Sequence, residues 1–261
     1  MAKFMVIGER IHCISPVIRK AIEERDPAPI LKRGKEQLDC GATYLDANIG
    51  PAEKNGEEIM QWMVQILQNE FDNVPLALDT ANTKAIEAGI KVYNRSKGKP
   101  IVNSADAGER ADNINLAAAN DAMVIALCSK EGVPRDNDER MAYCQEMLER
   151  GMEAGMDTDD MLFDPLFLVI KGMQEKQVEM FQAITMLTEM GLKTTGGLSN
   201  ISNGAPKALR PIMDAYMIAM AMQAGLTSAI VNPCDAKLME AIKTADVILG
   251  NTLYADSYLE L

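Results

Sequence analysis

The chain has 261 residues, a length that suits one large α/β domain; an eightfold βα barrel takes about 250 residues. It is 48% hydrophobic and 25% charged with a net charge of −12, which argues against a nucleic-acid duplex or membrane binder, since such a protein normally shows a basic face. Met1 to Arg10 lacks the basic start and cleavage site of a signal peptide, and no uncharged run reaches the roughly 18 residues of a membrane span.

The elements alternate along the chain. Phe4 to Gly8 reads as a short apolar strand ending in Gly8-Glu9-Arg10. Pro16 opens a helix that runs through Ile18 and Ile22 and on to Leu38, interrupted by Pro27 and Pro29 and stopped by Gly41. Thr43 to Ala47 is the second strand, with Asp46, Asn48 and Gly50 at its end, and Asn55 to Asn69 is helical with Ile59, Met63, Ile66 and Leu67 on one face. Pro75 to Leu78 is the third strand, ending in Asp79-Thr80, and Asn82 caps the helix that follows. Pro100 to Val102 is the fourth, ending in Asn103-Ser104, then a helix from Glu109 to Asn120. Ala122 to Leu127 is the fifth strand, with a helix from about Asp138 to Ala154. Met161 to Phe163 is the sixth, ending in Asp164-Pro165, before a helix from Gln174 to Met190. Leu192 to Thr195 is the seventh, ending in Gly196-Gly197-Leu198-Ser199-Asn200, before a helix from Ala208 to Ala224. Thr227 to Val231 is the eighth, ending in Asn232-Pro233, and Ala236 to Ile248 is the last helix.

Eight strands alternating with eight helices, with no linker or composition shift, predict a single (β/α)8 TIM barrel domain over residues 1–261. The competing doubly wound sheet calls for Gly-x-Gly-x-x-Gly after the first strand, and Gly8-Glu9-Arg10 is not that. In a barrel the C-terminal strand ends form one rim. Here the rim holds Glu9, Asp46, Asn48, Asp79, Asn103, Asp164, Ser199, Asn200 and Asn232. A carboxylate accepts two parallel hydrogen bonds from an amino-pyrimidine edge, and an amide offers one donor and one acceptor beside it. That set suits a 2-amino-4-oxo-pteridine better than a sugar phosphate. Each residue also has a plainer reading: Asp46 and Asp79 as helix caps, Asn200 as a turn former, Glu9-Arg10 as an ion pair bracing the mouth. Lys207 and Arg210 are either a solvated face or receivers of an anionic tail.

The sole histidine, His12, excludes a three-histidine metal site. The five scattered cysteines form no C-x-x-C and read as reduced thiols in a cytoplasm. No bound metal is expected.

Ile7-Gly8-Glu9-Arg10, Leu45-Asp46-Ala47-Asn48-Ile49-Gly50-Pro51, Leu78-Asp79, the run Asn82 to Gly89, Val102-Asn103-Ser104, Asp164-Pro165-Leu166, Gly197-Leu198-Ser199-Asn200 and Arg210-Pro211 resemble the pterin-binding methyltransferases. That family includes the methyltetrahydrofolate:corrinoid/iron–sulfur-protein methyltransferases and the folate module of cobalamin-dependent methionine synthase. Dihydropteroate synthase is a more distant relative. The resemblance implies a homodimeric barrel that holds the pterin of tetrahydrofolate or 5-methyltetrahydrofolate in its mouth. It assigns Asp79, Asn103 and Asp164 to the pterin, and Asn200, with Gly197 and Ser199 beside it, to the methyl-bearing nitrogen. It also implies methyl exchange with the cobalt of a corrinoid (cobalamin) carried by a partner protein, since this chain has no D-x-H-x-x-G signature. The chain departs from the family pattern at His12, usually Asn, and at Asn203, often Gln. Both bear on the hydrogen bonding around the site and on the corrinoid protein it serves.

Overall fold

The computed structural model describes residues 3–52 and 54–260. Eight strands, β1 (Met5–Gly8), β2 (Tyr44–Asn48), β3 (Leu76–Asp79), β4 (Ile101–Asp106), β5 (Met123–Leu127), β6 (Met161–Asp164), β7 (Lys193–Thr194) and β8 (Ser228–Val231), pair in parallel. Their order is β7-β6-β5-β4-β3-β2-β1-β8. The two ends of that row meet. Gly197 bridges to Ile230, and Ile230 N donates to Gly196 O at 2.9 Å. One layer below, hydroxyls do the work of a ladder. Thr194 N donates to Thr227 Oγ1 at 2.9 Å, while Thr227 Oγ1 and Ser228 Oγ donate to Thr194 O at 2.8 and 3.0 Å. The barrel is thus closed where β7 is too short for regular pairing.

Strand side chains alternate between two environments. Ile7, Ala77, Ile101, Met123, Ile125 and Leu162 point inward and fill the barrel. Val6, Leu45, Leu76, Leu78, Val102, Val124 and Phe163 point outward against the helices. Those helices are α1 (Pro16–Glu24), α2 (Ala28–Asp39), α3 (Gly56–Glu70), α4 (Thr83–Val92), α5 (Asn113–Ala119), α6 (Asn137–Glu153), α7 (Lys176–Glu189), α8 (Arg210–Ala224) and α9 (Ala236–Ile248). None is long and apolar enough to cross a membrane.

The expected interrupted helix after β1 is two separate helices. Arg25 takes a left-handed conformation (φ 56°) that ends α1, and Asp26 Oδ1 accepts from Ala28 N at 3.0 Å to start α2. β4 runs four residues past the expected end, through a register shift between Asn103 and Ala105, and α5 therefore begins at Asn113 rather than Glu109. The five cysteines are free.

Candidate functional site

Strand pairing sets the site. Asn48, Asp79 and Asn103 are direct partners across β2, β3 and β4, so their side chains stand in one arc on the inner face. Asn48 Nδ2 donates to Asp79 Oδ2. Asn48 Oδ1 accepts from Gly50 N at 3.0 Å and from the Cys13 thiol at 3.8 Å, which fixes the amide's orientation. Asn103 Nδ2 donates to Asp46 Oδ1 at 3.1 Å. Asp46 is buried, and burial followed by the neighbouring Asp79 charge pushes its carboxyl well above the usual range. Burial also raises Asp79 to about 6, against the pull of hydrogen bonds from Asn48 and Asp46. Of the pair, Asp46 holds the proton and Asp79 accepts.

Asp164 ends β6 and is 7% exposed. Its Oδ1 accepts from Leu166 N at 2.7 Å, yet burial raises it to about 7. Glu9, just past β1, is likewise raised to about 7 by burial, partly offset by a 2.6 Å hydrogen bond from Ser199 Oγ. The mouth therefore holds desolvated carboxyls, raised by burial, that form no ion pair among the described residues. Donors from a ligand would satisfy them.

The seventh strand ends as expected in glycines. Gly196 has no room for a side chain: a Cβ there would sit 2.2 Å from the Phe167 ring. Leu198–Asn200 then forms a 3-10 turn. Asn200 is exposed, and its Nδ2 lies 3.1 Å from where a Gly197 Cβ would be.

The remaining candidates divide. Asn232 Oδ1 is occupied by Cys234 N at 3.2 Å, a turn contact. Arg210 donates to Ala205 O at 3.0 Å at the start of α8, and Asn203 and Lys207 are exposed on the loop before it. Arg10 does not pair with Glu9. It turns outward to Glu36 at 2.8 Å and to Cys234 Sγ at 2.8 Å, because adjacent strand residues face opposite sides. Asp46 and Asp79 cap no helix; Asn82, Asp136 and Asp235 do. His12 is half-buried, bridges to Asn48 through the backbone, and is lowered by burial and by Arg33.

Two further groups carry no strand-end signal in the sequence. Asp214 on α8 is raised by burial and acts on Glu9, and its Oδ1 is buried without a hydrogen-bond partner among the described residues. Arg140 on α6 is fully buried beneath the Asp164 turn. Both come from helices, where rim logic does not look.

Fold and site define a (β/α)8 barrel whose mouth is lined with carboxylates and amides. The profile of the pterin-binding enzymes matches residues 15–232, and the chain belongs to that family. It is 28% identical to the methylcorrinoid:tetrahydrofolate methyltransferase of Eubacterium limosum, over 97% of this chain and 94% of that one. It is also 28% identical to the methionine synthase of Mycobacterium tuberculosis, over 88% of this chain but 20% of the synthase. Among solved structures, the Coxiella burnetii dihydropteroate synthase in complex with pteroic acid superposes with a TM-score of 0.74 at 17% identity, over 97% of this chain and 95% of that one. The Xanthomonas albilineans dihydropteroate synthase with 4-aminobenzoic acid does so at 0.75 and 18%, over 95% and 93%. At those identities the likeness is one of fold.

Proposed function

We propose that this chain moves a methyl group between N5 of tetrahydrofolate and the cobalt of a corrinoid carried by a separate protein. The observation that carries the reading is the arc Asn48–Asp79–Asn103, with Asp164 across the mouth and Asn200 on the turn after β7. Whole-length similarity to the Eubacterium limosum relative supports it, and favours transfer from methylcorrinoid to tetrahydrofolate.

In this reading Asp79, Asn103 and Asp164 take the ring's N–H and NH2 donors and fix its plane. The low-valent corrinoid is itself the nucleophile in the demethylating direction, so the protein need supply none. As the C–N5 bond breaks, its electron pair stays on N5, which takes up a proton from solvent and is held by a hydrogen-bond donor as charge shifts onto it. Asn200 Nδ2 provides that donor, and its contribution is catalytic to the extent that the bond strengthens in the transition state. In the reverse direction N5 attacks the methyl group through its lone pair and then gives its proton to solvent, and the Asn200 amide, through Oδ1, accepts from N5–H. The barrel, residues 1–261, would act as one domain and as a homodimer in the cytoplasm.

Dihydropteroate synthesis is the weaker reading. That enzyme calls for a lysine after β7, where this chain has Gly-Leu-Ser-Asn; Lys193 begins β7 and donates to Asp159 O at 2.9 Å.

Calorimetry with 5-methyltetrahydrofolate, followed by the visible spectrum of added cob(I)alamin, tests the proposal. Binding with conversion to methylcobalamin is expected. Binding without conversion would leave a synthase or a non-catalytic folate binder, and no binding would end the pterin reading.

A further inference from the structure

Arg140 is the largest fully buried side chain among the described residues. Its Nε donates to Pro165 O at 2.9 Å and its Nη1 to Asn137 Oδ1. Its Nη2 is buried and has no hydrogen-bond partner among the described residues. Both hydrogen bonds go to neutral oxygens. A buried guanidinium held only by neutral acceptors is costly unless an anion lies close by.

The acceptor it grips is informative. Pro165 is the residue after Asp164, and Leu166 beyond it is left-handed at φ 70°, an unfavourable conformation for a leucine. That backbone brings Leu166 N to Asp164 Oδ1 at 2.7 Å. The next residue, Phe167, packs its ring against Gly196 at the end of the neighbouring strand. One guanidinium on α6 thus holds the turn that aims the Asp164 carboxyl.

We propose that Arg140 is a positioning residue for Asp164: it locks the 164–166 turn through the Pro165 carbonyl and holds a buried positive charge beneath that turn. The groups that act on the guanidinium are Cys128 after β5, Glu179 on α7, Asp136 before α6, and Asp164 itself. Cys128 stays a thiol, because its contact with Cys144 and its burial push it well up. Asp136 Oδ1 is occupied capping α6 through Glu139 N at 2.9 Å. The Glu179 carboxylate pairs with Lys176 Nζ at 2.9 Å. Among these groups, Asp164 is the carboxylate that ends on the inner face of the barrel. Arg140 in turn opposes the upward push of burial on Asp164. Charge and geometry act on one group.

The consequence for the site rests on the proposed function, but the test of Arg140 does not. Carbon-13 titration of aspartate carboxyls in the ligand-free protein, with the Asp164 signal assigned by its loss in Asp164→Asn, reads the effect directly. Arg140→Gln keeps a donor to Pro165 and removes the charge. The Asp164 midpoint should rise by ~1 pH unit or more. Arg140→Lys keeps the charge, and its midpoint should stay near wild type. An unchanged midpoint in a folded Arg140→Gln, or an equal rise in Arg140→Lys, overturns the proposal. If Arg140→Gln does not fold, the Arg140→Lys midpoint alone decides. If the pterin reading holds, Arg140→Gln should also bind 5-methyltetrahydrofolate ~10-fold more weakly at pH 7 and regain affinity as pH rises. Failure of the wild type to bind the folate would strike the function and leave the titration standing.

Discussion

Ser199 Oγ donates a 2.6 Å hydrogen bond to Glu9 Oε1, joining the turn after β7 to the end of β1. Asn200 is the next residue on that turn, so its position depends on the bond. Glu9→Ala and Ser199→Ala should each slow single-turnover methyl transfer by ~10-fold. The double variant should lose little more, because both changes remove one interaction. Additive losses would mean that Glu9 and Ser199 act separately.

Buried carboxyls at the mouth make a prediction about stability without ligand. Glu9 and Asp164 titrate near 7 and Asp79 near 6 in the folded protein, above their ordinary values of 4.5 and 3.8. The folded chain therefore binds more protons than the unfolded chain between those points, and stability falls as pH rises from about 4 to about 7. Asp164 alone accounts for about 3 kcal/mol across that window. Urea unfolding should show higher stability near pH 5 than near pH 8, and Asp164→Asn should flatten the difference. A wild type that gains stability on going from pH 5 to 8 would contradict the burial account of these groups.

Asn200 and Asp79 should fail differently. Asn200→Ala should reduce methyl transfer by ~10²-fold while changing folate affinity far less, the behaviour of a donor needed in the transition state. Asp79→Ala should weaken affinity by about 2 kcal/mol, since it deletes a charged acceptor and strands the Asn48 amide beside it. Calorimetry and rapid-mixing spectra on the same samples separate the two. Equal losses of affinity and rate in Asn200→Ala would reduce that residue to a binding contact.

The strand ends put Asp79, Asn103 and Asp164 on the inner face because a period of two makes inward and outward positions calculable from the chain. An apolar run that ends in Asp or Asn then marks where the barrel interior meets its mouth. The same logic places Glu9 inward and Arg10 outward, which is why the pair is no ion pair and Arg10 finds Glu36. Arg140 and Asp214 were illegible for a physical reason. Each sits on a helix whose polar residues look like solvated face, and only the fold shows which of them turns back under a loop. The extension of β4 to Asp106 was hidden as well, because the register shift after Asn103 interrupts the simple alternation. The seam between β7 and β8 depends on Thr194, Thr227 and Ser228 hydroxyls, ordinary strand residues until the two ends of the sheet are seen to meet.

Gly196 offers a test of how tightly the mouth is packed. A Cβ at this position would lie 2.2 Å from two Phe167 ring atoms and 3.4 Å from Asp164 Oδ1. Its backbone needs no special conformation, so the requirement is space alone. Phe167 is 3% exposed and belongs to the apolar cluster beneath β8 and α8, so its ring cannot swing into water without losing that contact. Gly196→Ala should therefore destabilise the protein by about 2 kcal/mol through overpacking. The added methyl group also meets Asp164 Oδ1, so folate affinity should fall. Phe167→Leu removes the edge of the ring that the new methyl group meets. Combined with Gly196→Ala, it should recover stability relative to the sum of the two single changes, a coupling of at least about 1 kcal/mol in urea unfolding. Strict additivity would show that the ring moves freely and that the glycine is retained for another reason.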